Sequence, residues 1–342
     1  MPVLFDDEPR SCIKIGLINN MSDEALKATE RQFISLLESA SDNVPIHLSF
    51  YTLPGVPRSD FTAGHISRRY SKIEELWEGH LDGLIVTGRE PKAANLPDEP
   101  YWDSFTRMLA WAQENTHATV FSCLAAHAAI QHMDGIRRVQ RDDKVCGIFE
   151  CARMSDHPLT AGTGSHFKLP HSRWNGVPEE HLKDCGYKVL TRSAEAGVDT
   201  FIKQQKRLFV FFQGHPEYES DSLLREYQRD VGRYIKGQVD KYPSMPRSYF
   251  DETTVDELAA LQKKTLARRR EGLLSELTVI LANKRIQNTW QSSASGIYRN
   301  WLRHICAQKK NVLVPRRLKA MADSEELLGA PYPPAFLLGD VG

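Results

Sequence analysis

A cysteine can attack a thioester or amide carbonyl when a neighbouring base takes its proton and an acid orients that base. Two stretches of this 342-residue chain supply those residue types. The first is Thr119-Val120-Phe121-Ser122-Cys123-Leu124-Ala125-Ala126-His127-Ala128-Ala129-Ile130. A short β-type run delivers Cys123, and alanine-rich helix formers follow at once, the pattern of a strand–nucleophile–helix elbow. Such a turn exposes the thiol, and the helix that follows aims its free N–H groups and positive end at it, which favours the reactive thiolate. The second stretch is Leu208-Phe209-Val210-Phe211-Phe212-Gln213-Gly214-His215-Pro216-Glu217-Tyr218. Five apolar residues read as a buried strand, Gly214 and Pro216 end it, and His215 and Glu217 stand at its tip as candidate base and orienting acid. A lone cysteine is more often a small buried hydrophobe; the matching strand–turn context of His215 and Glu217 is what favours chemistry at Cys123.

Positioning these groups requires elements whose ends meet. Ile13 to Ile18 reads as a first strand, and Ser22 or Asp23 can cap a helix that begins near Glu24 and carries Leu26, Phe33, Leu36, Leu37 and Ala40 on one face. Ile46 to Tyr51 is a second strand, Lys72 to Trp77 lies on a second helix, Leu84 to Gly88 is a third strand and its turn, and Trp102 to Asn115 a third helix. Glu219 to Val231 reads as a helix beyond the histidine. Strands alternating with helices predict an α/β fold with a doubly wound, mostly parallel sheet flanked by helices, whose catalytic groups gather at the carboxyl ends of the strands. From Asp251 to Arg285, Leu258, Leu261, Leu266, Leu273, Leu274, Leu277 and Ile280 keep helical spacing among Lys263-Lys264 and Arg268-Arg269-Arg270. The organisation expected is a loose arm over 1–11, an α/β domain over 12–250, a helical extension over 251–320 packed on that domain or on a partner copy, and a loosely ordered tail over 321–342.

Cys-x-Ala-x-x-Ala after a strand, together with Gly-His-Pro-Glu-Tyr, resembles the homoserine O-acyltransferase family of methionine biosynthesis, of the homoserine O-succinyltransferase type. The resemblance runs with gaps from Ile15 to about Tyr249 and resumes from Trp290 to Trp301. It implies a class I glutamine-amidotransferase-like fold, a thioester on Cys123, and transfer of an acyl group from coenzyme A to the hydroxyl of L-homoserine. Acyl-coenzyme A, succinyl or acetyl, is then a co-substrate and no permanent cofactor is implied.

The same resemblance supplies further site residues. Lys144, in Arg141-Asp142-Asp143-Lys144-Val145-Cys146-Gly147, matches a lysine that contacts substrate. Ser172, in Pro170-His171-Ser172-Arg173, matches a position that affects substrate choice, and Arg229 matches the arginine that binds the amino-acid carboxylate. Guanidinium suits that task because its planar fork can hold a carboxylate through two hydrogen bonds. The oxyanion donor expected is the backbone N–H of Leu124, first residue of the helix; Lys27 falls one place from a family lysine thought to assist. Counting from Thr87 puts Lys92 where the family sorts acyl donors, glycine going with succinyl and glutamate with acetyl, so a cation there favours succinyl.

Composition sets outer bounds. Lys plus Arg and Asp plus Glu both number 44, so no global basic footprint for nucleic acid exists. The six cysteines are scattered without CxxC pairs or zinc spacing, as in a reduced, cytoplasmic protein, and no metal site is expected. The first residues lack the basic and apolar regions of a signal peptide, and no run approaches the roughly 18 apolar residues of a membrane helix. Small-molecule substrates and a homodimer are the partners expected. His127 and His171 read as structural. Transfer to L-serine or a related amino alcohol, a glutaminase or amidase reaction on the same fold, and a non-catalytic scaffold are the alternatives.

Overall fold

The computed structural model describes residues 12–282 and 284–326, with side chains to residue 310. The arm expected over 1–11 and the last part of the tail lie outside the described residues. The strands are β1 (Ile13–Ile18), β2 (Ile46–Tyr51), β3 (Gly83–Thr87), β4 (Ala118–Ser122), β5 (Val139–Arg153), β6 (His166–Gly176), β7 (Lys188–Val189), β8 (Thr191–Ser193), β9 (Gly197–Val198), β10 (Thr200–Gln204) and β11 (Leu208–Phe212). The helices are α1 (Asp23–Ala40), α2 (Asp60–Arg69), α3 (Ile73–Glu78), α4 (Trp102–Asn115), α5 (Leu124–Asp134), α6 (Glu179–Asp184), α7 (Ser222–Ile235), α8 (Glu252–Ala267), α9 (Gly272–Leu281) and α10 (Gln291–Glu326).

Seven strands form one sheet in the order β2-β1-β3-β4-β11-β10-β7. The first five are mutually parallel; β10 pairs antiparallel with β11, and β7 antiparallel with β10. Alternate residues of the apolar strands enter opposite cores, which is why these strands read as unbroken hydrophobic runs. Val120, Leu208, Val210 and Phe212 face α1 and α10, whereas Phe121, Phe209 and Phe211 face α4 and α5. Parallel pairing of β4 with β11 aligns Ser122 with Phe212. The residues that follow each strand, Cys123 on one and the Gly214-His215 turn on the other, therefore emerge side by side.

A second sheet, β6-β5-β8-β9, is antiparallel and dominated by the β5–β6 hairpin. Sequence pattern assigned no strand to β5, and the reason is visible: Val139 to Asp143 are exposed and polar-rich, with a register shift between Gln140 and Val145. The extension from Asp251 resolves into α8 and α9, whose Leu258, Leu261, Leu277 and Leu281 share a core with Tyr227, Val231 and Ile235 of α7. Helix α10 packs separately on α1, and its backbone continues through the first residues of the tail expected to be loosely ordered. Helix α2 went unread because only Thr62 on it is buried, so it carries no apolar stripe. No described helix is long and apolar enough to cross a membrane.

The hairpin is clamped to the segment before α8 at Gly147, whose φ is +138° and whose missing side chain leaves room for the Arg247 backbone. Ile148 N–H donates to Arg247 O at 2.9 Å, and Arg247 N–H to Cys146 O at 3.0 Å. A Cβ at 147 would lie 2.4 Å from Arg247 N. Gly147→Ala is expected to cost about 2–4 kcal/mol in a denaturant titration, from backbone strain plus overlap. A loss below about 0.5 kcal/mol would show that the clamp relaxes freely.

Candidate active site

Strand β4 ends at Ser122, and the next residue adopts φ 50° and ψ −109° before α5 begins. A non-glycine residue in this region is strained, and Cys123 is held there by its neighbours. Its N–H donates to Phe212 O at 2.8 Å, which extends the β4–β11 ladder past the strand end. On the other side Gly88 backs onto α5, where a Cβ would lie 2.5 Å from Ala125 N. The thiol is half-buried, and the first turn of α5 leaves its leading N–H groups without partners inside the helix. Leu124 N–H is the first of these after the sulfur.

His215 and Glu217 are both buried, and His215 Nδ1 lies 2.8 Å from Glu217 Oε1. The Cys123 side chain acts on the same imidazole, its charge and its hydrogen-bonding capacity both favouring the protonated ring. Burial alone would lower the His215 pKa, but Glu217 and Cys123 together outweigh it and raise it well above the usual histidine value. The imidazolium is thereby favoured at its place between Glu217 and Cys123. Tyr218 stacks on the ring at 4.2 Å between centroids.

The turn carrying His215 is tied on several sides. His215 N–H donates to Pro170 O of β6 at 2.8 Å, and Gly214 N–H to Asp199 Oδ1 at 3.1 Å. Gln213 links β9 to α5, since its Nε2 donates to Val198 O at 2.7 Å and its Oε1 lies 3.0 Å from His127 Nε2. Burial lowers the His127 pKa to about 4, so this is a neutral, structural histidine. His171 is likewise buried between Arg173 and Asp199, its Nε2 3.3 Å from Asp199 Oδ1. Both histidines brace the turn that carries the base.

Beyond Tyr218, Glu226 of α7 is a hub that the sequence did not single out. It accepts hydrogen bonds from the Ser172 and Tyr218 hydroxyls and lies 3.6 Å from Lys144 Nζ. Lys144 also pairs with Asp230 at 3.1 Å, and Arg229 Nε donates to the other oxygen of Asp230 at 2.9 Å. Burial would lower the Lys144 pKa, but Glu226 and Asp230 more than compensate and keep it raised. Glu226 and Asp230 are one helical turn apart, on the face of α7 toward Lys144; that spacing was the only sequence signal for them.

Comparison with known proteins gives this geometry its context. Residues 7–312 match the model of the family described as homoserine O-succinyltransferase. The chain is 44% identical over 290 residues to a homoserine O-succinyltransferase of Rhodopseudomonas palustris, covering 85% of this chain and 87% of that protein. It is 43% identical over 294 residues to the one of Bradyrhizobium japonicum, covering 86% and 90%. The chain belongs to the homoserine O-succinyltransferase family. That is a family of acyltransferases. Among solved structures the chain is similar to a glutamine amidotransferase from Methylobacillus flagellatus, at 16% identity and a TM-score of 0.49, over 86% of this chain and 95% of that one.

In this homoserine O-succinyltransferase family member, the residues singled out from sequence fall into three groups. Cys123, His215 and Glu217 come together, His215 hydrogen-bonded to Glu217 and interacting with Cys123, with Leu124 N–H at the adjoining helix start. Lys144, Ser172 and Arg229 gather around Glu226 and Asp230. Lys27 and Lys92 are exposed and join neither network among the described residues. The Lys27 ammonium lies 5.2 Å from the Phe61 ring centroid, and the Lys92 backbone N–H donates to Glu99.

Glu217 is what holds the His215 charge against burial, which makes a measurable prediction. In Glu217→Gln the His215 pKa falls, the imidazolium supports the thiolate less, and the thiol stays protonated to higher pH. The pH midpoint for iodoacetamide alkylation of the Cys123 peptide, followed by mass spectrometry, should rise by about one unit or more relative to the unsubstituted protein. An unmoved midpoint would remove Glu217 from control of the pair.

Proposed function

We propose that the chain transfers the succinyl group of succinyl-coenzyme A to the side-chain hydroxyl of L-homoserine through a thioester on Cys123, a step of methionine-type amino-acid biosynthesis. The observation that carries this reading is the Cys123–His215–Glu217 line at a strained elbow, in a chain whose family membership spans residues 7–312.

His215 takes the thiol proton, and the sulfur attacks the thioester carbonyl carbon. The oxyanion forms beside Leu124 N–H, where a donor acts on charge that develops only in the transition state. Collapse breaks the bond to the coenzyme A sulfur, which leaves with the proton from His215. The acceptor hydroxyl then gives its proton to His215 and attacks the acyl-enzyme carbonyl. The second oxyanion expels the Cys123 thiolate, which is again paired with the imidazolium. Glu217 balances that charge in both halves.

On the acceptor side, Arg229 holds the α-carboxylate of homoserine, while Lys144 and Ser172, set by Glu226, position the rest of the amino acid. Arg229 is half-exposed, and although its Nε and Nη2 lie on Asp230, its outer guanidinium edge is at the surface where a small carboxylate can reach it. Lys92 serves the donor side at the surface, as an exposed cation on the loop after β3. Acyl-coenzyme A enters as co-substrate. A homodimer fits the exposed Leu266 of α8 and Val279 of α9, which a second copy would cover.

Incubation with succinyl-coenzyme A and no acceptor should add one succinyl mass to the Cys123 peptide, and Cys123→Ala should lose both the label and turnover. A Cys123→Ala protein that still turns over would end the covalent reading. The acceptor assignment is checked separately. Arg229→Lys should weaken homoserine binding by roughly 1–3 kcal/mol, because a point charge replaces a planar fork, with the rate of acyl-enzyme formation nearly unchanged. Equal damage to both half-reactions would make Arg229 structural instead.

A further inference from the structure

The loop that leaves β3 carries a cation the fold leaves unsatisfied. Arg89 is only 8% exposed, and its Nε and Nη1 are buried without a hydrogen-bond partner. Among the described residues its guanidinium makes no ion pair. A buried charge in this condition is costly and calls for a partner, which a bound ligand can supply.

Its place in the fold is beside the nucleophile. Thr87 pairs with Ser122, and Gly88 lies against Leu124 and Ala125, so Arg89 leaves the sheet where α5 begins. Tyr101 feels the charges of both Arg89 and Arg138, and Arg138 also interacts with the Cys123 charge. Arg138, half-buried just before β5, makes no hydrogen bond or ion pair among the described residues either. The acid of this neighbourhood is already committed: Glu99 Oε1 accepts from the backbone N–H groups of Lys92 and Ala93. Arg58 adds further positive charge but has its own partner in Asp23, at 3.5 Å. Two guanidinium groups that form no ion pair among the described residues thus stand around Tyr101 and the elbow, with the buried Glu99 as the acid of that neighbourhood.

We infer that Arg89, with Arg138, forms a subsite for the free carboxylate of the acyl group in transfer, so that the donor selected is the monothioester of a dicarboxylic acid. This rests on the acyl-transfer reading of Cys123 given above. A short diacid chain, once its carbonyl is on the sulfur, projects its second carboxylate into the shell of residues around the elbow, where Arg89 stands. A monocarboxylic acyl group brings no second acid to these cations, which then share only Glu99.

The test compares kcat/KM for succinyl- and acetyl-coenzyme A, with L-homoserine as acceptor, by thiol release. Both donors carry the same coenzyme A phosphates, so their ratio reports on the acyl end alone. Arg89→Met should lower the succinyl-to-acetyl ratio by about tenfold or more, and Arg138→Gln should move it the same way by a smaller factor. A ratio unchanged in both variants, or parallel losses on both donors, overturns the subsite. Should Arg89→Met fail to fold, the neutral methyl ester of succinyl-coenzyme A decides the matter with unsubstituted protein. Transfer of that ester as efficiently as succinyl also overturns it, and a preference of about tenfold or more for the free acid, together with the Arg138→Gln shift, upholds it. Absence of any thiol release from unsubstituted protein would remove the acyl-transfer reading along with the subsite, whereas turnover with an unmoved ratio removes only the subsite.

Discussion

The site depends on a single backbone conformation, Cys123 at φ 50° and ψ −109°. An ordinary residue pays roughly 1–3 kcal/mol to sit there, so the surroundings must over-determine it. They do so from three directions. The ladder with β11 holds the Cys123 N–H, Gly88 closes on the start of α5 without a side chain, and α5 is fixed at its far side by His127 to Gln213. The same bonds that impose the strain also set the distance to the base. Gln213 immediately precedes the Gly214-His215 turn, so nucleophile helix and base turn are cross-linked through one amide side chain.

The acid of the triad is held by an element far away in sequence. Trp290, just ahead of α10, donates its Nε1–H to Tyr218 O at 2.9 Å, and Tyr298 of α10 stacks on Phe212 while sensing the Glu217 charge. Tyr218 in turn lies on the His215 ring. Helix α10 is thus a floor beneath the His215–Glu217 turn as well as a cover for α1. This gives Trp290 and α10 a part in the site although they lie far along the chain. The 251–285 stretch packs on α7 and has only to keep that helix in place.

The parallel strands and the triad were legible because each has a local signature. Buried strands covered on both faces read as apolar runs, and the elbow and the Gly-His-Pro-Glu-Tyr turn each sit at the end of one. What escaped was whatever depends on two remote segments meeting. Strand β5 starts exposed and polar, so its pattern resembles a loop until β6 pairs with it. The helix after the triad starts at Ser222, later than its composition suggests, because Glu219 is engaged by Arg31 and Arg225. Glu226 is a carboxylate on a helix and reads as solvated until Ser172, Tyr218 and Lys144 are brought to it. Arg89 is the sharpest case. A cation in a loop reads as exposed, and Lys92 is exposed; only the close approach of β3 to α5 buries Arg89.

The two sides of Cys123 differ in charge in a way that suits two different substrates. Toward α7 the groups are mixed: Glu226 and Asp230 stand among Lys144 and Arg229, and each cation already has an acidic neighbour. Such a surface can meet a zwitterion, whose ammonium and carboxylate each find an opposite charge without adding net charge to the site. Toward β3 two guanidinium groups share one buried acid, Glu99, so the balance is positive and an anion is the partner that lowers the free energy most. A ping-pong enzyme must admit donor and acceptor to one sulfur in turn and keep each from the other's place. On the proposed mechanism, separating a neutral-in-sum half-site from a cationic one would favour this sorting. On this reading an amino acid's ammonium is disfavoured on the β3 side by Arg89 and Arg138. On the α7 side a free acyl carboxylate meets Glu226 and Asp230 as well as Lys144 and Arg229, and gains less net attraction.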